Sequence, residues 1–578
     1  MQQPMDPSAT GRSAGPPQAR PGQPPEASGV RAVPVRAGGL GAAALTPRGG
    51  SIAVLGDRGA PLLIGIDAGT SVMKAVAFSL AGDEVATAAV PNKVLYGPGG
   101  FAEQDMGFTR DSLGVVLRSL ATKLPDLAER AACLAITGQG DGTWLVDRNL
   151  EPVGPAILWL DGRSGELVRS LRASGVGAAV SAITGTGLNT SIQSGHLCWL
   201  RDHQPERLMQ AAASMHCKDW LYLCCTDDVA TDFGEGLFTF GDPLAKAYAP
   251  EVLRLLGLSE HERLLPPMRD GSTRHRPLTA RAAQLTGLPE GLPVVLAPMD
   301  VPATALGAGL YAPGREVGVS ILGSTGMHAR LYRSLSDVPP SSQQGYLFSF
   351  PVPDLWQGSM SHMAATLNLD WLCDRVAEAA RLAGAEPPPR AELLKKLEAA
   401  ASRSAPGGAV YHPFISEAGE RGPFTEPLAR AQFSGLSTST DLGALARAVF
   451  EGIAFATRDC YEAMGVQPEE IRLTGGAARS MLMRQILANV MNCPVRISRR
   501  GEAGAAGAAL VGAVSIGLAG ELIELLPEWV DACLDKATIP PNEQAPTYRA
   551  LFDAYRSGYQ QQFPHWQALH NARHHHHD

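Results

Sequence analysis

The stretch LLIGIDAGTSVMK, residues 62–74, decides how this chain is read. A short apolar run ends on Asp67, and Gly69, Thr70 and Ser71 follow at once. Apolar runs of this length, bounded by Asp and Gly, read as buried strands that feed a tight turn. Glycine allows such a turn to approach a ligand closely. Its backbone N–H groups and the Thr70 and Ser71 hydroxyls can then cradle phosphate oxygens. Lys74 adds a positive charge, and Asp67 can hold Mg²⁺ through water. The same pattern also makes ordinary hairpins, so this stretch alone leaves phosphate binding open. No G-x-x-x-x-G-K-[ST] occurs, which excludes a P-loop as the route to a nucleotide.

Working outward, PVVLAPMD at 293–300 is expected to repeat the plan and to open a second half. VGVSILGSTG at 317–326 adds another strand and turn, with Gly323, Ser324 and Thr325 placed as Gly69, Thr70 and Ser71 are. Two such turns can grip a polyphosphate from both sides, which is more specific than either alone. A helical pattern runs from Leu442 to Met464 with apolar residues at 442, 445, 449, 453, 456 and 460. Strands mixed with helices give an α/β class with two related domains and a cleft between them. The expected division is an extension at 1–61, an N-terminal domain at 62–297, a C-terminal domain at 298–520 and a helical tail at 521–578. The extension is Pro/Gly/Ala/Arg-rich and reads as disordered. The histidines near the C-terminus read as a tag or a solvated tail.

TGGAARS at 474–480 sits where a β-like run turns into a helical pattern. Gly475, Gly476, Ala477 and Arg479 suit the close approach of adenine or an anion, or equally tight helix–sheet packing. Asp300 reads either as a general base or as the N-cap of the helix after it. Gln139 and Asp141, just after the apolar run at 134–136, offer hydrogen-bonding groups for an uncharged, hydroxyl-rich ligand. Trp144 reads as an apolar wall or as core. Asn189 and Asp219 are further ligand candidates, or a turn and a helix cap.

The composition narrows the class. The 578 residues are 45% hydrophobic and 18% charged, with net charge -8, so sizeable cores can form and no basic nucleic-acid footprint exists. The nine cysteines form no C-x-x-C pair and fit reduced thiols in a cytosol. The uncharged run at 503–520 is Ala- and Gly-rich and reads as a buried helix rather than a membrane span.

Taken in order, DAGTSVMKA, TGQGDGTWLVD, WLDGR, CKDWLYL, MDVPATALGAG, GSTGM, YHPFISEAGERGPF and TGGAARS resemble the FGGY carbohydrate kinases over residues 62 to about 520. That resemblance implies two ribonuclease-H-like domains of the actin and hexokinase type around a catalytic cleft. It implies ATP and Mg²⁺ as cofactors, Asp300 as the base that takes the substrate hydroxyl proton, and a homodimer. Within the family, the segments at 137–144, 185–190, 216–220 and 417–424 resemble the subgroup that phosphorylates erythritol. Gly140-Asp141 stands where glycerol kinases carry Arg-Glu and xylulose kinases Met-His. Glycerol, xylulose or another pentulose remain alternative acceptors. A nucleotide-gated sensor is a further alternative, although 1–61 shows no helix-turn-helix periodicity.

Overall fold

The computed structural model describes residues 59–340, 345–465 and 467–574. The expectations for residues 1–58 and for the last histidines, 575–577, lie outside the described residues.

Two mixed sheets carry the fold. The first contains β1 (Leu62–Ala68), β2 (Val72–Phe78), β3 (Glu84–Pro91), β4 (Ala131–Gly138) and β5 (Pro293–Leu296) in the order β3-β2-β1-β4-β5, with a two-residue strand, Arg276–Pro277, outside β5. The second contains β6 (Val317–Leu322), β7 (Gly326–Tyr332), β8 (Tyr346–Ser349), β9 (Trp356–His362), β10 (Glu470–Thr474) and β11 (Val495–Ile497) in the order β8-β9-β7-β6-β10-β11. In the first, β1–β2 and β2–β3 are antiparallel while β1–β4 and β4–β5 are parallel. In the second, β6–β7 and β7–β9 are antiparallel while β6–β10 and β10–β11 are parallel. One five-strand plan of ribonuclease-H type is therefore present twice.

This topology corrects one sequence expectation. The structural counterpart of β1 is β6, not the strand at 293–296. That strand is β5, the last parallel strand of the first sheet, paired to β4. Both β1 and β5 are short apolar runs ahead of an Asp, and local pattern carries no information about which strand becomes a neighbour. Asp300 therefore leaves the first sheet instead of ending the first strand of the second.

Helices α1 (Met106–Lys123) and α2 (Cys217–Thr226) cover one face of the first sheet, and α3 (Phe233–Phe240) reaches β8 of the second. Between the sheets lies α4 (Asp300–Gly307), followed much later in the chain by α5 (Leu442–Ala463), α6 (Met481–Met491) and α7 (Ala503–Ser515). Helix α7 is the uncharged run. It packs on β1 and β4 as well as on α4, so a segment expected in the C-terminal half lies against the first sheet. Side chains of α4, α7 and both sheets, among them Val295, Leu306, Val319 and Leu510, share one buried cluster. A Cβ at Gly507 would meet the Ala303 carbonyl oxygen at 1.9 Å, so the two helices touch through backbone. Helix α5 buries Val449, Ile453 and Cys460 as expected, but Leu442, in its first turn, is exposed. The tail helix α8 (Ala545–Gln560) adds Tyr548, Phe552 and Tyr555 to the second sheet's core. Eight of the nine cysteines are buried, and all nine are free thiols. Among the described residues, no helix is long and apolar enough to cross a membrane.

Candidate catalytic cleft

The strand order brings the C-terminal ends of β1, β4 and β5 together, and each delivers a carboxylate or its loop to one cavity of about 260 Å³. That volume is at the small end for small-molecule sites. Thr70, Asp141 and Asp300 line it from the first lobe, and Thr325, Tyr346 and Arg421 from the second.

Asp300 is the first residue of α4, with Met299 in the N-cap position, so it does not cap that helix as an N-cap would. Its Oδ1 accepts a hydrogen bond from the Gly140 backbone N–H at 3.3 Å. Burial, then the negative charge of Asp67, pushes its carboxyl up to about 7. A base poised there can take a proton near neutral pH. Asp141 holds a left-handed backbone, φ 59°, which is uncommon for a non-glycine residue. Burial also raises its carboxyl to about 7, against the pull of Arg421 and the Tyr346 hydroxyl. Its Oδ1 is buried and has no hydrogen-bond partner among the described residues. Asp67, at the end of β1, is pushed up to about 6 by burial, with Lys74 opposing. Lys74 lies directly across the β1–β2 ladder and pairs with Glu502 at 2.7 Å.

Other candidates lie elsewhere. Gln139 is 2% exposed, and its amide faces the protein: Oε1 accepts from Thr70 Oγ1 at 2.8 Å, and Nε2 donates to Gln104 Oε1 at 2.9 Å. It braces Thr70 and does not line the cavity. Trp144 is fully buried in the first lobe's core and forms no wall. The indole at the cavity is Trp159, whose Nε1–H donates to Thr70 Oγ1 at 2.8 Å. Asp219 sits in a capping box at the start of α2, bonded to His216 and ion-paired with Lys218. It serves that buried network and does not line the cavity. Asn189 does not line the cavity but touches a residue that does, donating to Tyr346 Oη at 3.3 Å and accepting from Ser191 N–H at 2.8 Å.

The two candidate phosphate turns face the cleft from opposite sheets. Gly69–Ser71 joins β1 to β2, and Gly323–Thr325 joins β6 to β7. Ser71, Ser324 and Thr325 are exposed, while Gly69, Thr70 and Gly323 are half-buried. After β10, Gly475 adopts φ 92° and Gly476–Arg479 forms a single 3₁₀ turn before α6. Gly475, Gly476 and Arg479 are exposed, whereas Ala477 is buried and faces the protein.

Sequence reasoning missed Trp159, Tyr346 and Arg421. Trp159 and Arg421 stand inside motifs quoted above, WLDGR and YHPFISEAGERGPF, and a polar or aromatic residue within such a motif was the available signal. Tyr346 lies in no such motif.

Comparison with known proteins follows the same outline. Residues 62–307 match the model of the N-terminal domain of the FGGY family of carbohydrate kinases, and 320–516 match its C-terminal domain. The chain is 44% identical over 509 residues to erythritol kinase of Brucella abortus (strain 2308), covering 88% of this chain and 98% of that protein. It is 28% identical over 508 residues to xylulose kinase of Escherichia coli (strain K12), covering 87% and 99%. The crystal structure of xylulose kinase from Rhodospirillum rubrum superposes with TM-score 0.77 at 27% identity, covering 88% of this chain and all of that one.

Proposed function

Because the chain belongs to the FGGY family of carbohydrate kinases, we propose that it transfers the γ-phosphoryl group of ATP to a terminal hydroxyl of erythritol, giving erythritol phosphate and ADP. The 44% identity to an erythritol kinase across nearly its whole length is the observation that carries the acceptor assignment. The cavity agrees with it chemically. An uncharged polyol has little apolar surface and must be held by hydrogen bonds, and the wall supplies Asp141, Asp300, Tyr346 and Thr70.

In this reading, the terminal hydroxyl lies against Asp300. Its oxygen forms the new bond to phosphorus, its proton passes to the Asp300 carboxylate, and the bond from phosphorus to the bridging oxygen breaks to leave ADP. Gly140 N–H holds the carboxylate in place at 3.3 Å. The turns at 69–71 and 323–325 grip the phosphates, and the 475–479 turn meets the base.

Mg²⁺, when bound, neutralises the charge of the triphosphate. Asp67 fits it: a carboxylate pushed up to about 6 by burial, with no ion pair among the described residues. Magnesium characteristically takes one or two carboxylates plus substrate phosphates, not a full protein cage. The free thiols suit a cytosolic site of action.

The test is coupled ADP release over erythritol, threitol, glycerol, ribitol, xylulose and ribulose. Erythritol is expected to give the highest kcat/KM. A higher value for glycerol or a pentulose overturns the acceptor, and turnover that survives chelation of divalent ions overturns the metal.

A further inference from the structure

Side chains from the opposite lobe close part of the cavity that Asp300 lines. Tyr346 opens β8, and Arg421 comes from the loop after Glu420; both belong to the second sheet's half. They meet the first lobe across the cleft. Arg421 Nη1 donates to Ser191 Oγ at 3.2 Å, and Tyr346 Oη accepts from Asn189 Nδ2 at 3.3 Å. The Arg421 loop is tightly held. Glu420 Oε1 accepts from the backbone N–H groups of Met363 and Arg421, each at 2.8 Å. Gly422 presses so closely on β9 that a Cβ would meet the Ser361 carbonyl oxygen at 2.5 Å.

Two groups in this corner lack the partner their chemistry calls for. The Arg421 guanidinium makes no ion pair among the described residues, although Asp141 lines the same cavity. The buried Oδ1 of Asp141 accepts no hydrogen bond among the described residues. Burying such an oxygen unpaired is costly, and an arginine carries five donors. The group that satisfies both at once is a hydroxyl: it accepts from the guanidinium and donates to the carboxylate.

We infer that a polyol hydroxyl remote from the reacting end bridges Arg421 and Asp141, with Tyr346 beside it, so that the second lobe reads the length of the acceptor. This rests on the polyol kinase reading above. An acceptor one CHOH unit shorter leaves the bridge unmade, Asp141 Oδ1 without a donor and the guanidinium with Ser191 Oγ as its partner in this corner. Because Arg421 and Asp141 stand on different lobes, the bridge also ties the lobes together over the substrate.

The experiment compares kcat/KM for erythritol and glycerol in wild type, Arg421→Met, Arg421→Lys and Ser191→Ala, with melting temperature as the check on folding. Arg421→Met is expected to lose about 10- to 100-fold toward erythritol and less than about 3-fold toward glycerol, so the ratio collapses. Arg421→Lys keeps the charge but not the fork, and falls between. Ser191→Ala removes the anchor of the guanidinium together with the Ser191 Oγ–H bond to Asn189 Oδ1 at 2.7 Å, and lowers the ratio by a few fold. Should Arg421→Met fail to fold, the other two variants decide. Equal losses toward both acceptors overturn the inference. If wild type prefers another acceptor, the erythritol assignment fails by itself. The same ratio, taken between that acceptor and its homologue one CHOH shorter, then judges Arg421.

Discussion

The β1–β2 turn of the first lobe and the β6–β7 turn of the second occupy equivalent points of one strand order, but among the described residues the first alone is braced by side-chain hydrogen bonds. Thr70 is held from two directions, by Gln139 and by the indole of Trp159. Ser324 and Thr325 are exposed, Thr325 toward the cavity, and among the described residues their turn is tied down through backbone: the Gly323 and Ser324 carbonyls accept from Thr366 and Ala365. A duplicated fold has thus been given unequal work. On the proposed reading, the first lobe holds Thr70 and Asp300 in place before any ligand arrives. The second would then offer exposed hydroxyls and backbone to a ligand that organises them on binding. Preorganised groups contribute more to the transition state, because no reordering is needed at the moment of reaction.

The sharpest way to break this contrast is Asp300→Asn. The amide is nearly isosteric and keeps an oxygen for the Gly140 N–H, but it cannot take the proton. A fall in kcat of roughly 10²–10⁴ is expected, with ATP binding intact by calorimetry. Near-normal kcat would move the base elsewhere.

Next come the two threonines. Thr70→Val leaves the Gln139 carbonyl oxygen and the Trp159 N–H without their partner, so roughly 1–3 kcal/mol of stability is lost for each buried group left unpaired. Melting temperature and kcat should both drop. Thr325→Val removes an exposed hydroxyl, should leave melting temperature within about a degree, since exposed substitutions stay within ~0.5 kcal/mol, and should raise KM for ATP. Equal thermal effects in the two variants would show that the turns are braced alike.

A smaller effect is expected at Gly476. A Cβ there meets nothing within 4 Å, so Gly476→Ala should fold as wild type does. If the base of ATP lies over this turn, the added methyl raises KM for ATP several-fold with kcat unchanged. An unchanged KM would place the nucleotide elsewhere.

How much of this was legible in the sequence follows the same division. The strands at 62–68 and 317–322 announce themselves by apolar runs ended by Gly or Asp, because a buried strand with parallel neighbours must be largely apolar on both faces, whereas 470–474, EIRLT, shows only as a β-like run ahead of two glycines. The acidic residues Asp67, Asp141 and Asp300 stood out because a carboxylate beside a buried strand calls for an explanation. Strand pairing was hidden. Nothing local distinguishes β5 from β1, and so the repeat was assigned to the wrong strand. The orientation of amphipathic side chains was hidden as well. Gln139 and Asp141 are two residues apart, yet one amide turns inward to Thr70 while the left-handed backbone at the other turns its carboxylate to the cavity. Trp144 and Trp159 look alike as residue types, and only the burial of the short strand at 144–146 separates core from wall. Arg421 stood inside a motif, but its position was hidden for a further reason: it depends on a contact between lobes, with Ser191, 230 residues away in sequence.

The smallest effect concerns stability, and its sign follows from the same carboxylates. Asp300 has its carboxyl raised to about 7 in the folded protein from an ordinary value of 3.8, chiefly through burial. A group raised on folding binds its proton more tightly in the native state than in the unfolded one. Its contribution to stability is therefore fully present below the unfolded value and is lost as pH rises through the folded one. Between about pH 4 and 7 the native state of wild type gives up this advantage, and above pH 7 it carries the ionised carboxylate near Asp67 and Asp141. Asp300→Asn has no proton to lose and no charge to bury. Its melting temperature relative to wild type should accordingly rise with pH, from little difference near pH 4 to a stabilised variant at pH 8, while its turnover stays far below that of wild type throughout. The measurement is a thermal-shift series on both proteins without ligand. A difference that stays flat from pH 4 to 8 would mean that Asp300 is not held protonated in the free enzyme, and that its readiness as a base must come from the bound substrates. A rising difference would instead show that the cleft destabilises the fold through the carboxylate it needs, so that the braced lobe holds a strained charge in readiness for the proton.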